Sequence, residues 1–217
     1  MDSQHSCIAL VPARDFRTGK SRLAGTLNDD ARCELGKWMF ERVLDAAAAA
    51  SGIDTISVLS DGDLALSLAE SKGAVAHKCP GIDLNADLEA GRKWAVEKNA
   101  EVILVIPADL PALAPSDIEA ILDLATRNTN PGGCSVITPS PDGGTNGLLL
   151  RPPGEMPFVF GPNSFARHRS AAIDNSIQPV LFENPGFYFD IDTASDLVLL
   201  AERGIEVPEW LSAISHA

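Results

Sequence analysis

Cysteine and histidine are few in this sequence, and neither is spaced for a metal site. There is no C-x-x-C pair, and the four histidines show no metal-ligand spacing. We therefore expect neither a zinc site nor a disulfide framework, and we predict buried, reduced cysteines. The four cysteines are Cys7, Cys33, Cys79 and Cys134.

Long apolar runs and positive charge are also lacking. No run approaches the roughly 20 apolar residues that span a bilayer, and residues 1–7 lack the basic and apolar regions of a signal peptide. These absences predict a cytoplasmic protein without a membrane segment. The 17 Lys and Arg residues against 30 Asp and Glu residues leave a formal charge of −13. Because nucleic-acid binding depends on neutralising phosphates with Lys and Arg, we expect no nucleic-acid partner.

What is present is the composition of an ordinary globular protein. The 217 residues are 45% hydrophobic and 22% charged, which excludes intrinsic disorder for most of the chain. A chain of this length buries a core without disulfides or a structural metal. We predict a single domain over residues 1–217.

Strand-like and helix-like segments alternate through the first half. The strand-like segments are apolar without polar alternation, a pattern typical of a parallel sheet covered by helices on both faces. We predict strands at residues 8–11, 53–59, 74–77 and 102–106. Helices are predicted at residues 29–51, 63–72, 84–99 and 116–126.

The second half has more strands, separated by turns rich in glycine and proline. Its strands are predicted at residues 134–138, 145–151, 179–182 and 187–191, and its helices at residues 164–173 and 194–203. A loop by composition, residues 128–133, separates the halves. We expect the second half to complete the same sheet.

The loop after the first predicted strand, residues 12–23, carries four cationic side chains in an otherwise acidic chain. Open α/β sheets bind ligands at the carboxyl ends of their strands, so this loop suits a polyphosphate. Gly19-Lys20-Ser21 also matches the end of a P-loop, but Arg14 stands where that pattern needs its first glycine, so the match is weak. A solvated basic loop is the alternative interpretation.

Three aspartates near the ends of predicted strands are candidates for a metal site. Asp109 follows the strand at 102–106, and Asp190 and Asp192 lie two residues apart at the end of the last predicted strand, where they would face the same side. Mg²⁺ on a nucleotide takes a few such oxygen ligands besides the phosphates. The alternatives are a turn or cap at Asp109, a helix N-cap at Asp192 and an exposed Asp190.

Two glycine-containing segments are predicted to bind an anion. Residues 142–147 are glycine-dense, so that backbone N–H groups and the Thr145 hydroxyl can approach a ligand closely. Residues 160–164 lead into a helix with Ser164 at its N-cap, and a helix N-terminus attracts phosphate or carboxylate. A tight turn and an ordinary helix cap are the alternatives.

Together these segments carry a family resemblance. The sequence resembles the phospholactate guanylyltransferase family of coenzyme F420 biosynthesis, whose motifs occur in order along nearly the whole chain. The motifs are Pro12, Lys20-Ser21-Arg22-Leu23, Asp83-Leu84-Asn85-Ala86, Pro107-Ala108-Asp109-Leu110-Pro111, Gly143-Gly144-Thr145-Asn146, Phe160-Gly161-Pro162-Asn163-Ser164-Phe165 and Asp190-Ile191-Asp192-Thr193.

The resemblance implies an α/β, Rossmann-like nucleotidyltransferase fold with a mostly parallel central sheet flanked by helices. It implies transfer of GMP from GTP to 2-phospho-L-lactate, phosphoenolpyruvate or 3-phospho-D-glycerate, with release of pyrophosphate and Mg²⁺ as cofactor. Residues 1–130 would mainly bind the nucleotide and residues 131–217 the acceptor. The downstream transferase of F420 biosynthesis is an expected partner.

The resemblance also assigns roles to residues. The metal ligands would be Asp109, Asp190 and Asp192. The acceptor contacts would be Thr145, Gly161 and Ser164. The nucleotide contacts would be Pro12, Arg14, Lys20, Ser21, Arg22 and Asn85, with Lys20 and Arg22 on the triphosphate and Asn85 facing the base and ribose. The residues acting in catalysis would be Lys20, Arg22 and Asp109.

The predicted reaction needs no general base, because the acceptor phosphate is already an anion. The difficulty is to bring two anions together, which calls for positive charge at the reacting phosphates. The lack of a catalytic His or Cys arrangement agrees with this chemistry. Two alternative functions are a P-loop-type kinase, which would release a nucleoside diphosphate, and a non-catalytic nucleotide-binding protein.

Overall fold

A computed structural model describes residues 6–154, 156–203 and 205–212. Within these residues, seven strands form one sheet in the order β3-β2-β1-β4-β6-β5-β7. β6 runs antiparallel to its neighbours β4 and β5, and the other pairs are parallel. The strands are β1 (Cys7–Ala13), β2 (Thr55–Ser60), β3 (Val75–Lys78), β4 (Val102–Val105), β5 (Cys134–Pro139), β6 (Thr145–Arg151) and β7 (Gln178–Leu181). The predicted mostly parallel sheet is confirmed.

Helices flank this sheet, and a 3₁₀ turn covers Ser21–Leu23. Among the described residues, no helix has the length and apolar content needed to cross a membrane. The helices are α1 (Asp29–Ala49), α2 (Asp63–Ser71), α3 (Leu84–Glu97), α4 (Pro115–Arg127), α5 (Ser164–Asp174), α6 (Pro185–Tyr188), α7 (Ala194–Glu202) and α8 (Glu209–Ser212).

The central strands are buried on both faces, which explains why their sequences are apolar without alternation. In β1, Ala9 and Val11 belong to one hydrophobic cluster, whereas Ile8 and Leu10 belong to a second cluster that includes Leu88 of α3. Each fully buried large aliphatic side chain contributes about 1.5–3 kcal/mol. The two clusters hold the helices against opposite faces of the sheet.

Helix α3 lies unusually close to the sheet. Asp83 caps its N-terminus by accepting a hydrogen bond from the Asn85 N–H at 2.9 Å. In its middle, a Cβ on Gly91 would lie 2.8 Å from Leu59 Cδ1, so the absence of a side chain allows the close approach. This packing brings the first turn of α3 beside the carboxyl end of β2.

The predicted strand at 187–191 is wrong. The chain forms the short helix α6 there and continues without regular structure to residue 192. Asn184 caps α6 by accepting from the N–H groups of Gly186 and Phe187, and Pro185 occupies the first helical position, which favours a helix. Phe187, Phe189 and Ile191 are all buried, as in a strand with one buried face, but they belong to α6 and to the irregular segment after it.

Candidate active site

The carboxyl ends of β1, β2 and β4 surround a cavity of about 330 Å³. In open α/β sheets this edge is where ligands bind, because loops there diverge to opposite faces of the sheet. Pro12, Ser60 and Pro107 line the cavity, one from each strand end. Its position is therefore set by the sheet topology.

Lys20 lines the cavity on the same side as Asp109 and Asp192. Its Nζ donates to Asp109 Oδ2 at 2.7 Å and to Asp192 Oδ1 at 2.8 Å, and its side chain is 12% exposed. Burial opposes the charge of the amine, but the two carboxylates outweigh burial and raise the Lys20 pKa. The Lys20 ammonium thus joins two aspartates that are far apart in sequence.

Arg22 and Ser21 lie at the outer side of the same turn. Arg22 Nη1 is 3.4 Å from Asp192 Oδ2, and its side chain is 71% exposed, so this ion pair is weak. Ser21 is also exposed. Lys20 itself has a left-handed backbone conformation, with φ 52° and ψ 39°, which directs the turn at this point.

Asp190 lies beside this ion-pair cluster. Burial and then the charge of Asp109 raise its pKa to about 6, and Asn146 Nδ2 donates to its Oδ1 at 3.3 Å. Asp192 does not cap α7, because Asp196 instead accepts from the N–H groups of Asp192 and Thr193. Among the described residues, no three His, Cys, Asp or Glu side chains are arranged to hold a metal ion. The Mg²⁺ site therefore stays a prediction.

The opposite side of the cavity is formed by the ends of β2 and β3 and the start of α3. Arg14 Nη1 donates to the Gly81 carbonyl oxygen at 3.0 Å, and Asp61 Oδ1 accepts from the Asp15 N–H at 2.9 Å. Burial raises the pKa of Asp87 in the cavity wall, and the charge of Asp61 adds to this, although a hydrogen bond from the Gly81 backbone opposes it. Asp87 consequently has a carboxylate that water solvates only in part.

Sequence reasoning missed Asp15, Asp61 and Asp87 as cavity residues. Asp61 was detectable, because it directly follows an apolar strand as Asp109 nearly does. Asp87 carried no such signal, since its place in the cavity depends on the close packing of α3 against the sheet.

The residues predicted to contact an acceptor lie together on the β6 side. Ser164 Oγ donates to Thr145 Oγ1 at 3.2 Å, and the Ser164 N–H donates to the Gly161 carbonyl oxygen at 3.0 Å. Gly161 has φ 126°, a conformation that side chains rarely adopt. Thr145 directly precedes Asn146, whose Nδ2 donates to Asp190, so this group adjoins Asp190, although none of its three residues lines the cavity.

Asn85 uses its side-chain amide on the protein backbone. Its Oδ1 accepts from the Phe160 N–H at 2.7 Å, and its Nδ2 donates to the Phe160 carbonyl oxygen at 3.1 Å. These two bonds tie α3 to the loop before α5. Asn85 is not among the described residues that line the cavity, so its contact with base and ribose stays a prediction, whereas Asp87 in the first turn of α3 lines the cavity directly.

Comparison with known proteins shows the family to which this chain belongs. A family model described as "Guanylyl transferase CofC like" matches residues 7–215. The chain belongs to the CofC-like guanylyl transferase family. The match includes every described strand and every residue discussed in the cavity, so the predicted family is confirmed.

Two relatives of the CofC-like chain are named phosphoenolpyruvate guanylyltransferase. The protein of Rubrobacter xylanophilus is 40% identical over 200 residues, which cover 92% of this chain and 95% of the relative. The protein of Sphaerobacter thermophilus is 36% identical over 194 residues, covering 89% and 92%. A guanylyltransferase activity is thus supported by relatives that match this chain over about nine tenths or more of their own length.

Solved structures confirm the nucleotidyltransferase fold of this CofC-like protein. A nucleotide-diphospho-sugar transferase from Desulfovibrio desulfuricans superimposes with a TM-score of 0.77 at 15% identity, covering 97% of this chain and 94% of that one. A CMP:2-keto-3-deoxy-manno-octonic acid synthetase complexed with CTP gives a TM-score of 0.61 at 14% identity, covering 91% and 99%. At these identities the similarity concerns the fold alone.

Proposed function

We propose that this protein transfers GMP from GTP to phosphoenolpyruvate or a close analogue, 2-phospho-L-lactate or 3-phospho-D-glycerate, with release of pyrophosphate. The reaction would belong to coenzyme F420 biosynthesis in the cytoplasm, with the downstream transferase as partner. The observation that carries the proposal is the Lys20 ammonium, buried beside a cavity at the strand ends and held by Asp109 and Asp192.

The chemistry follows from the charges of the reactants. A phosphate oxygen of the acid attacks the α-phosphorus of GTP, a new P–O–P bond forms, and the bond to the bridging oxygen of pyrophosphate breaks. No proton has to be removed from the attacking oxygen. Lys20 would stabilise the charge on the phosphates, with Arg22 contributing from the exposed side, and such fixed charges act most strongly where water is excluded.

Mg²⁺ fits the donor set found here. Asp109 and Asp192 place one oxygen each within 2.8 Å of a shared cation, the Lys20 Nζ. Mg²⁺ at nucleotide sites is commonly held by one or two carboxylates together with the phosphates. We therefore propose Asp109 and Asp192 as Mg²⁺ ligands, with Asp190 adjacent, and the ion would supply additional charge stabilisation at the α-phosphate.

The sheet order supports an assignment of the three parts of the site. The cavity extends from the β2 side, with Asp61 and Asp87, across β1 to the β4 side, with Lys20 and Asp109. β2 and β4 are separated by β1, and neighbouring strands lie about 4.8 Å apart, so the two sides of the cavity are roughly 10 Å apart. This separation leaves room for the base on one side and the phosphates on the other. The base would lie near α3, the phosphates near β4, and the acceptor near β6.

Asp87 is our candidate for selecting guanine. Guanine presents two neighbouring donors, N1–H and the N2 amino group, which match the two oxygens of one carboxylate. Adenine presents an acceptor at N1, which a carboxylate would repel. Asp61 lies on the same side and, like Asp87, already accepts one backbone hydrogen bond, so it is the residue to compare with Asp87 in a test.

The test is to incubate the protein with GTP, Mg²⁺ and each of the three acids, with the downstream transferase present to trap a labile product. We expect pyrophosphate and the guanylylated acid by mass spectrometry, and at least a ~100-fold loss of turnover in Asp109→Ala. Release of GDP would instead indicate a kinase. Absence of any metal-dependent product would indicate a binding protein.

A further inference from the structure

His168 of α5 is fully buried at 0% exposed, and the reaction described above does not use it. Its ring lies edge-on to the Phe160 ring, with centroids 4.6 Å apart and an interplanar angle of 72°. Both ring nitrogens nevertheless have polar partners. A buried histidine with two defined partners has a defined proton position, and here that position can be deduced.

The backbone fixes which nitrogen of His168 carries the proton. The Val159 N–H donates to Nε2 at 3.1 Å, so Nε2 must be the acceptor. Burial, with a smaller contribution from the charge of Arg167, lowers the His168 pKa to about 4, so the ring is neutral at physiological pH. A neutral imidazole has one donor and one acceptor, and the proton therefore resides on Nδ1. A hydrogen bond with the Ser164 backbone raises the His168 pKa, but burial outweighs it.

The Nδ1–H group then determines the hydrogen bonding of Thr145. Thr145 Oγ1 lies 3.0 Å from His168 Nδ1 and must accept from it. Ser164 Oγ donates to the same oxygen at 3.2 Å. Both lone pairs of the Thr145 hydroxyl are thus occupied, and only its own hydrogen remains available. Among the hydrogen bonds of the described residues, none has this hydroxyl as donor.

We infer that His168 is a positioning residue that makes the Thr145 hydroxyl an obligatory donor to an anionic oxygen of the acceptor acid. This inference rests on the proposed function, because it takes Thr145 as part of the acceptor site. Its ligand class is a phosphate or carboxylate group. The arrangement is preorganised, since the Val159 N–H on one side and Ser164 on the other hold the ring and the hydroxyl before the acid arrives.

Two variants of His168 separate this role from a structural one. His168→Asn places an amide nitrogen where Nδ1 was, so it keeps the donor to Thr145 and loses the acceptor for Val159. His168→Gln places an amide oxygen where Nε2 was, so it keeps the acceptor for Val159 and loses the donor to Thr145. Both variants remove the ring, and each is the control for the other.

We expect His168→Gln to raise the KM and the Kd of phosphoenolpyruvate by about 10-fold, the effect of losing one aligned hydrogen bond to a charged group. The KM of GTP should stay unchanged. His168→Asn should bind the acid within about 2-fold of the wild type. In a Thr145→Val background, His168→Gln should add no further loss, because the two residues act through one hydroxyl.

Binding of the acid, measured by calorimetry in the presence of Mg²⁺, tests the role of His168 independently of turnover. Equal weakening in the Asn and Gln variants, or additive losses in the Thr145→Val background, would overturn the inference and leave the proposed function standing. Acid binding that only His168→Gln weakens, in a protein that transfers no GMP, would support the inference and reject the proposed function. A wild-type protein that binds none of the three acids would reject both.

Discussion

At the scale of single residues, the site is defined by carboxylates in three different electrostatic environments. Asp109 and Asp192 are paired with the Lys20 ammonium. Burial raises the pKa of Asp190. Asp87 lies in the cavity wall near Arg14. Similar side chains can thus have separate tasks, because neighbours and burial decide the charge state.

Asp190 makes the stability of the protein depend on pH. Its folded-state pKa of about 6 lies above the ordinary value of about 3.9, so the folded state binds the proton more tightly. Stability from this group is full below about pH 4 and is lost as pH rises through 6. Asparagine cannot ionise, so we expect the free energy of unfolding of Asp190→Asn to fall by about 1–2 kcal/mol less than that of the wild type between pH 4 and pH 7, after allowance for partial exposure of the side chain. Urea unfolding without metal between pH 4 and 7 measures it, and parallel curves for both proteins would contradict it.

Replacing Asp87 with asparagine should change nucleotide preference. Asparagine accepts from N1–H but turns the second acceptor into a donor, which matches the C2 carbonyl of xanthine and repels the N2 amino group of guanine. We expect kcat/KM for GTP to fall by about 10- to 100-fold and the use of xanthosine triphosphate to rise. Asp61→Asn is the matched control. Unchanged GTP and xanthosine triphosphate ratios would place guanine selection elsewhere.

At the scale of elements, the connection between α4 and α6 positions the last part of the site. Asp117 in the first turn of α4 accepts from the Ala114 N–H and from Asn184 Nδ2, both at 2.9 Å. Asn184 in turn caps α6, and the segment after α6 contains Asp190 and Asp192. One carboxylate therefore ties a helix start to the segment that carries two site residues.

Asp117→Ala should lower the free energy of unfolding by about 1–3 kcal/mol, because it removes a helix cap and leaves an amide without its partner. Asp123→Ala on the same helix removes only an exposed ion pair with Arg127 and should change stability by less than about 0.5 kcal/mol. Urea denaturation of both variants checks this. If the two changed stability equally, Asp117 would be an ordinary surface residue.

The elements also show what the sequence could and could not predict. Strands such as Val102–Val105 were predictable because burial on both faces leaves an uninterrupted apolar run. The segment around Phe187 was wrongly predicted as a strand, because alternating burial does not distinguish a strand from an irregular segment that packs every second side chain. The Asn184-Pro185 pair was the local signal for a helix start.

At the scale of the whole molecule, the sequence predicted which residues follow the strands but not which of them face each other. Lys20 and Asp192 are 172 residues apart, and their contact exists only because β1 and β4 are neighbours and α6 returns the chain to them. The bond of Asn85 to Phe160 was equally unpredictable, since it depends on how α3 and the loop before α5 meet. Long-range contacts of this kind follow from the completed fold.

The Lys20 ion pairs lead to a test of the proposed Mg²⁺ site. Because the ammonium lies between Asp109 and Asp192, Mg²⁺ alone would have to displace it. We expect Lys20→Met to bind Mg²⁺ or Mn²⁺ more tightly than the wild type when no nucleotide is present, although its turnover falls. Arg22→Met, at an exposed position, is the control. Calorimetry decides the point, and weaker metal binding in Lys20→Met would contradict it.

The same contact gives this strongly acidic protein a built-in counter-ion. With a formal charge of −13, an unpaired group of carboxylates would attract any divalent cation in the medium. The tethered ammonium offsets part of their charge in the resting protein, and in the proposed reaction Mg²⁺ would arrive as a complex with the nucleotide. Substrate loading and charge compensation would then be a single event.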